Sequence, residues 1–132
     1  MTFNVLIFGS RLPGITPAEF KTYYDTKHMP MIRTMTGRHF PLQHIRKYIQ
    51  RDPTTAGAEA KAAVIVGSQA DFDFDVVAEM VFEHEDAFKK FAEILLREEN
   101  AKIVDEDERK FFDRERVRMV VLGGIDVLER EV

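Results

Sequence analysis

The sequence contains no cysteine, which excludes disulfide bonds and thiolate chemistry and is compatible with a cytoplasmic protein. Basic residues are not in excess: the net charge is -4, whereas general nucleic-acid binders present a basic face. The apolar run at residues 5–8 is too short for a membrane span, and it lacks the basic leader and cleavage site of a signal peptide. We therefore expect a cytoplasmic protein that binds neither nucleic acid nor membrane.

Motifs for metals and common cofactors are also missing. The four histidines form no H-x-H or H-E-x-x-H pattern, which argues against a zinc site. There is no glycine-rich phosphate loop, and the Gly123-Gly124 pair is not followed by the helix that a dinucleotide fingerprint requires. The sequence predicts no metal and no cofactor.

The hydrophobic pattern predicts one domain over residues 1–132. Strands are predicted at 3–10, 42–50, 74–83 and 116–122, and helices at 16–29 and 85–97. The charged stretch 100–114 is expected to hold a short surface helix anchored by Phe111 and Phe112, and residues 62–66 fit either a short strand or a turn of helix. The order strand, helix, strand, strand, helix, strand is typical of an α+β, ferredoxin-like fold, with both helices on one face of a four-stranded antiparallel sheet.

Both faces of the predicted sheet are apolar. The first strand carries Phe3, Val5 and Ile7 on one face. It carries Leu6 and Phe8 on the other. A strand that is apolar on both faces needs cover on both, and monomers seldom expose apolar patches of many hundreds of Å². We therefore predict a homodimer that packs sheet against sheet and has an apolar cavity inside each sheet.

Residues 16–30 predict a capped amphipathic helix that carries a histidine. Thr16 and Glu19 form a capping box around Pro17, which suits the first helical position. Phe20, Tyr23 and Tyr24 share one face of this helix. Pro30 disfavours helical geometry at the residue before it, so the regular helix is expected to end there and to hold His28 beside an aromatic stripe. Residues 31–36 fit an irregular extension of this helix, which Gly37 ends.

The sequence resembles the EthD family of the dimeric α+β barrel superfamily. The likeness lies in G-I-T-P-A-E-F-K-T-Y-Y-D-T-K-H-M-P-M-I at 14–32, F-P-L-Q-H-I-R-K-Y-I at 40–49, D-F-D-V-V-A-E-M-V-F at 73–82 and D-E-R-K-F-F-D at 107–113. It is most similar to stand-alone fungal members that accompany polyketide pathways. This resemblance implies a cofactor-free lyase, a dehydratase acting on an aromatic or pre-aromatic polyketide. Relatives with other reactions leave open a monooxygenase, a cyclase, a haem binder or a non-catalytic protein that binds small aromatics.

His28 is the first candidate catalytic residue, because an imidazole with an ordinary pKa of roughly 6.5 exchanges protons near neutrality. In the resemblance this position matches the recurrent histidine of the family. The alternative is that His28 only caps the C-terminus of its helix. Asp25, three residues earlier, either orients the imidazole or is solvated.

His44, Arg46 and Tyr48 alternate along the second predicted strand and therefore point the same way. We expect His44 and Tyr48 to be catalytic donors to a carbonyl or enolate, and Arg46 to bind the substrate. The alternative is a strand edge exposed to water, and a slip of one residue would turn the whole set to the other face.

Three further residues are predicted to bind substrate. Tyr24 would offer its hydroxyl, although tyrosines at such positions are more often core residues. Glu79 lies among apolar residues of the third strand, where a closed cavity would raise its pKa. Phe82 is predicted to line the substrate site. His39 and His84 adjoin loops and are interpreted as structural or solvated.

Overall fold

A computed structural model describes all residues, 1–132. The strands are β1 (Phe3–Gly9), β2 (Gln43–Tyr48), β3 (Val76–Phe82) and β4 (Arg118–Val121). The α-helices are α1 (Pro17–Tyr23), α2 (Met29–Thr36), α3 (Glu85–Leu96) and α4 (Glu98–Glu108). The predicted strands are present and slightly shorter than expected. Residues 62–66 form neither strand nor helix, only an isolated bridge between Arg51 and Ala62.

The sheet has the order β2-β3-β1-β4, and all neighbouring strands are antiparallel. This confirms the α+β, ferredoxin-like prediction. Along β3 every second side chain is buried, and these residues are Val76, Ala78, Met80 and Phe82. They pack in the core with residues of the first helical segment and of β1, so the helices cover this face of the sheet, which we call the helix face.

The first helical segment does not end before Pro30. Its N-terminus is the predicted capping box, with both bonds between Thr16 and Glu19 at 3.0 Å. Residues 24–28 then form a π-helical turn in which the amide of Met29 bonds the carbonyl of Tyr24, five residues back. The wider turn accommodates the Pro30 ring, which lies in the first turn of α2, where no N–H is needed. The segment ends at Gly37, as predicted; its φ of +54° suits glycine.

Phe111 and Phe112 anchor the end of α4 in the core, which confirms that prediction. Phe111 lies against Phe20, with ring centroids 5.7 Å apart, and both side chains are buried. Phe112 passes over the end of β1 so closely that a Cβ at Gly9 would lie 2.7 Å from its ring. The residues before Phe111 are thereby held against the first helical segment.

The other face of the sheet, the helix-free face, is covered by no helix. Alternation and strand register place Leu6, Phe8, Ile45, Val77, Val81 and Val120 on it. Among them stand a few polar groups, including an Asn4 side chain that donates to Glu79 at 2.6 Å. None of the four α-helices is long and apolar enough to cross a bilayer.

Candidate active site

A half-open cavity of about 1010 Å³ lies between the helix face of the sheet and the helices. Fifteen of its 22 lining residues are hydrophobic. The sheet contributes Ile7, His44, Met80 and Met119. One chain forms these walls by itself, whereas the sequence predicted that two copies would close the pocket. The difference arises because α4, expected only as a surface helix, supplies Val104 and Glu108 to the wall.

His28 is buried and lines this cavity from the π-helical turn. Its Nδ1 lies 2.8 Å from Oδ2 of Asp107, near the end of α4. The other oxygen of Asp107 accepts the hydroxyl of Tyr23 at 2.6 Å. An ionised Asp107 can only accept, so Nδ1 of His28 carries the proton and Nε2 keeps its lone pair.

The pKa values of His28 and Asp107 keep the imidazole neutral, as a base must be. Burial lowers the pKa of His28 below its ordinary value, although the bond and charge of Asp107 oppose the change. Burial alone would raise the pKa of Asp107, but the bonds from Tyr23 and His28 hold it below its usual range. At neutral pH the pair is therefore a carboxylate beside an uncharged imidazole, which is the state required of a general base.

A second polar network fixes His44. Asp25 accepts from Nε of Arg46 at 2.9 Å, from the hydroxyl of Tyr48 at 2.5 Å and from Lys21 at 2.7 Å. Arg46 then donates to Nδ1 of His44 at 2.9 Å. Because an arginine can only donate, Nδ1 of His44 is an acceptor and the proton of the neutral ring is on Nε2.

His44 is therefore a neutral hydrogen-bond donor at the cavity wall. Burial lowers its pKa to about 4, and the positive charge of Arg46 acts in the same direction. The ring of Tyr24 stands between the two histidines, with centroids 5.9 Å from His28 and 6.2 Å from His44. Tyr24 also lines the cavity, and burial raises the pKa of its hydroxyl, which stays protonated.

Glu108 faces His28 from the last residue of α4. Its Oε2 lies 3.8 Å from Nε2 of His28, and its Oε1 accepts from Nε of Arg114 at 3.1 Å. Burial, reinforced by the neighbouring charge of Asp107, raises the pKa of Glu108 to about 7. The cavity thus contains the lone pair of a neutral imidazole and, beside it, a carboxyl group whose pKa is about 7.

The structure brings three of the seven predicted site residues to the cavity: His28, His44 and Tyr24. Four do not line it, and each has a physical reason. The hydroxyl of Tyr48 is committed to Asp25, and Arg46 holds the ring of His44. Glu79 is on the helix-free face, because it alternates with Ala78 and Met80, and Phe82 is fully buried beneath Phe88 and Phe91.

The residues that sequence reasoning missed are Asp107 and Glu108. Asp25, for which orienting His28 was one of the two roles expected from the sequence, bonds Arg46 and Tyr48 instead. The available signal was two acidic residues just before the apolar Phe111-Phe112 pair. A buried pair anchors the end of a helix, so acids one turn earlier are brought to the interior. His84 caps α3, where its Nδ1 accepts from the amide of Ala87 at 3.1 Å.

No group of three or more His, Asp or Glu side chains converges in a way that suits a metal ion. The side chains at the cavity offer a base, His28, a neutral donor, His44, and a carboxyl group, Glu108.

The fold and this site together define a class: an α+β, ferredoxin-like domain with a His–Asp pair that opens on an apolar cavity. A family model described as the EthD domain matches residues 12–115. The chain belongs to the EthD family, as its resemblance indicated. No curated protein matches it.

Similar solved structures share this fold. An ethyl tert-butyl ether D (EthD) family protein from Bacillus halodurans C-125 is 15% identical, with a TM-score of 0.54 over 93% of this chain and 99% of that one. An EthD-like protein from Ralstonia eutropha JMP134 is 13% identical, with a TM-score of 0.53 over 92% and 87%. A mutant of SnoaB, a cofactor-independent oxygenase from Streptomyces nogalater, is 13% identical, with a TM-score of 0.51 over 98% of both chains.

Proposed function

We propose that the protein is a small cofactor-free enzyme that acts on an aromatic or pre-aromatic polyketide-type ketone by general acid–base catalysis, and that its reaction is a dehydration. The observation that carries this proposal is the His28–Asp107 pair, whose free Nε2 borders an apolar cavity of about 1010 Å³. A cavity of this volume suits a small ligand with fused rings.

In the proposed reaction Nε2 of His28 removes a proton from the carbon between the ketone and the hydroxyl-bearing carbon. The negative charge moves to the ketone oxygen, where the Nε2–H of His44 stabilises it as a hydrogen-bond donor. The carbon–oxygen bond of the hydroxyl group then breaks, the enolate electron pair forms the new double bond, and the departing oxygen takes up one proton from an acidic group of the cavity and leaves as water, which balances the proton that His28 removed. Asp107 holds the His28 ring and stabilises the imidazolium that forms.

A cofactor-free oxygenase is the second candidate, because SnoaB has the same fold and is a cofactor-independent oxygenase. The same base would remove a proton from the CH2 carbon of an anthrone, and the carbanion would add to O2 and take up that proton as a hydroperoxide. Loss of water from the hydroperoxide would then leave a quinone. Cyclisation and haem binding remain expectations from sequence resemblance.

A direct test uses 3-hydroxy-1-tetralone, a β-hydroxy ketone that becomes 1-naphthol when it loses water. We expect the purified protein to accelerate the appearance of 1-naphthol fluorescence equally with and without oxygen. The control is anthrone, with oxygen uptake recorded by electrode. Uptake with anthrone, together with no effect on the tetralone, would replace the dehydratase with the oxygenase. Binding of 1-naphthol without turnover of either probe would indicate a non-catalytic binding protein.

We also propose that the protein is a homodimer formed through the helix-free face. That face carries six apolar side chains and no helix, and it includes Val120, which is 51% exposed. A second copy that covers this face removes apolar surface from water, which stabilises the dimer by about 25 cal/mol for each Å² of apolar surface buried.

Neighbouring residues of β4 offer a matched pair of variants. Val120 points to the helix-free face, whereas Val121, 56% exposed, points to the helix face. We expect sedimentation to show a dimer for the wild type, a dimer at least about tenfold weaker for Val120→Lys, and little change for Val121→Lys. A wild type that sediments as a monomer, or equal effects of both variants, would contradict the proposed interface.

A further inference from the structure

We infer that Glu108 is a second catalytic residue, a carboxylic acid that protonates the departing hydroxyl group on the same side of the substrate from which His28 removes the proton. This inference rests on the proposed dehydration. It narrows the substrate class to β-hydroxy ketones in which the removed hydrogen and the hydroxyl group are syn.

The geometry presents one oxygen of Glu108 to the cavity. Its Oε1 is occupied by the Nε–H of Arg114 at 3.1 Å, so Oε2 is the oxygen left to carry a proton. That Oε2 lies 3.8 Å from Nε2 of His28. A syn pair of α-hydrogen and β-oxygen fits a donor and an acceptor that stand side by side on one wall.

The charges around Glu108 favour its neutral form on balance. Asp107 is adjacent and ionised, and Glu108 ends α4, where the negative end of the helix dipole disfavours a carboxylate. His28 faces it uncharged, and Arg114, an exposed side chain, opposes the trend. Three more charged side chains line the cavity: Arg109, Asp113 and Glu115. Burial raises the Glu108 pKa to about 7, so much of it is protonated at neutrality.

With Glu108 as the acid, the site itself supplies and accepts every proton that the dehydration needs. The α-carbon–hydrogen bond breaks and its proton goes to Nε2 of His28. The carbon–oxygen bond breaks, the Oε2–H proton of Glu108 goes to the leaving oxygen, and the product is water. The site then holds an imidazolium and a carboxylate 3.8 Å apart. Transfer of the proton from Nε2 back to Oε2, directly or through the product water, restores the starting state.

The test compares Glu108→Gln with Glu106→Gln, a matched change at an exposed residue of the same helix. With 3-hydroxy-1-tetralone we expect a loss of about 100-fold or more for Glu108→Gln and less than about twofold for Glu106→Gln. With 3-acetoxy-1-tetralone, whose acetate leaves without protonation, the loss in Glu108→Gln should shrink to a few fold. His28→Gln should remain impaired with both probes.

Each other outcome overturns the inference in a distinguishable way. An equal loss with both leaving groups would make Glu108 structural, and no loss would remove it from the reaction. If Glu108→Gln lost dehydratase activity while His28→Gln kept it, the result would contradict the proposed function itself. When 3-hydroxy-1-tetralone carries deuterium at C2 on the same face as its hydroxyl group, the 1-naphthol formed should contain no deuterium. Retention of the deuterium would exclude syn elimination.

A measurement without turnover keeps the inference testable on its own. We expect the ¹³C signal of the Glu108 carboxyl group to titrate near pH 7 in the wild-type protein. The ¹⁵N signal of the His28 ring should titrate differently in Glu108→Gln, because the facing charge is removed. A Glu108 carboxyl that stays ionised down to pH 5 would refute the assignment, whether or not the probe reacts.

Discussion

Replacing His28 with Gln should lower kcat for loss of water by about 10²–10⁴-fold, which is the usual contribution of a positioned general base. The contact of Nδ1 with Asp107 leaves Nε2 of His28 as the proton acceptor, and a glutamine amide cannot take up a proton. The measurement is initial rate with 3-hydroxy-1-tetralone, at a saturating concentration. Binding of 1-naphthol should change little, because Gln fills a similar volume.

His39→Gln is the matched control, since His39 does not line the cavity. It should keep full activity. Asp107→Asn tests whether the carboxylate positions the His28 ring, and the measurement is the dependence of activity on pH. His28 acts in its neutral form, so activity falls as the pH drops through its pKa, which lies below the ordinary value of 6.5. Removing the carboxylate lowers that pKa further, so the acid limb should move to lower pH while the plateau falls. An unchanged rate in His28→Gln would eliminate His28 from the mechanism.

The fold could be predicted because its signals are local. Buried and half-buried residues alternate along β3, the capping box at Thr16 and Glu19 fixes one helix start, and Gly37 ends the segment. The same alternation correctly placed His44, Arg46 and Tyr48 on one side of β2, opposite Met80, Ala78 and Val76 of β3. That side faces the helices. The three residues therefore share one side of the strand, as predicted, but only His44 reaches the cavity.

The missing parts of the site depend on contacts between distant residues. His28 and Asp107 are separated by 79 positions, and nothing in either segment alone predicts their pairing. The error at Pro30 had a different cause. Proline forbids an ordinary α-helical bond at its position, but one widened turn removes the conflict, and this turn carries His28. Local rules favoured the break, and the packing of Tyr24 and Met29 in the core outweighed them.

Replacing Asp75 with Ala should cost about 3–5 kcal/mol of unfolding free energy, the range for breaking a buried ion pair from one side. Asp75 lies just before β3, its side chain is 8% exposed, and both Arg11 and Arg51 donate to its Oδ1. Its Oδ2 accepts from the amide of Arg11 at 2.8 Å. Without the carboxylate, two guanidinium groups at the ends of β1 and β2 remain side by side with no counter-charge.

Asp73→Ala is the control, two positions away. Asp73 pairs with Arg116 at 2.6 Å on the surface, with side chains 65% and 42% exposed, so its loss should cost about 1 kcal/mol or less. Urea unfolding followed by far-ultraviolet circular dichroism, at one fixed protein concentration, measures both variants. A polar hollow of about 220 Å³ adjoins Arg11 and Arg51 and admits solvent, which places the expected loss toward the lower end of the range. Equal losses in the two variants would mean that water already compensates the buried guanidinium groups, and that the hydrophobic core rather than this ion cluster holds the three strand ends together.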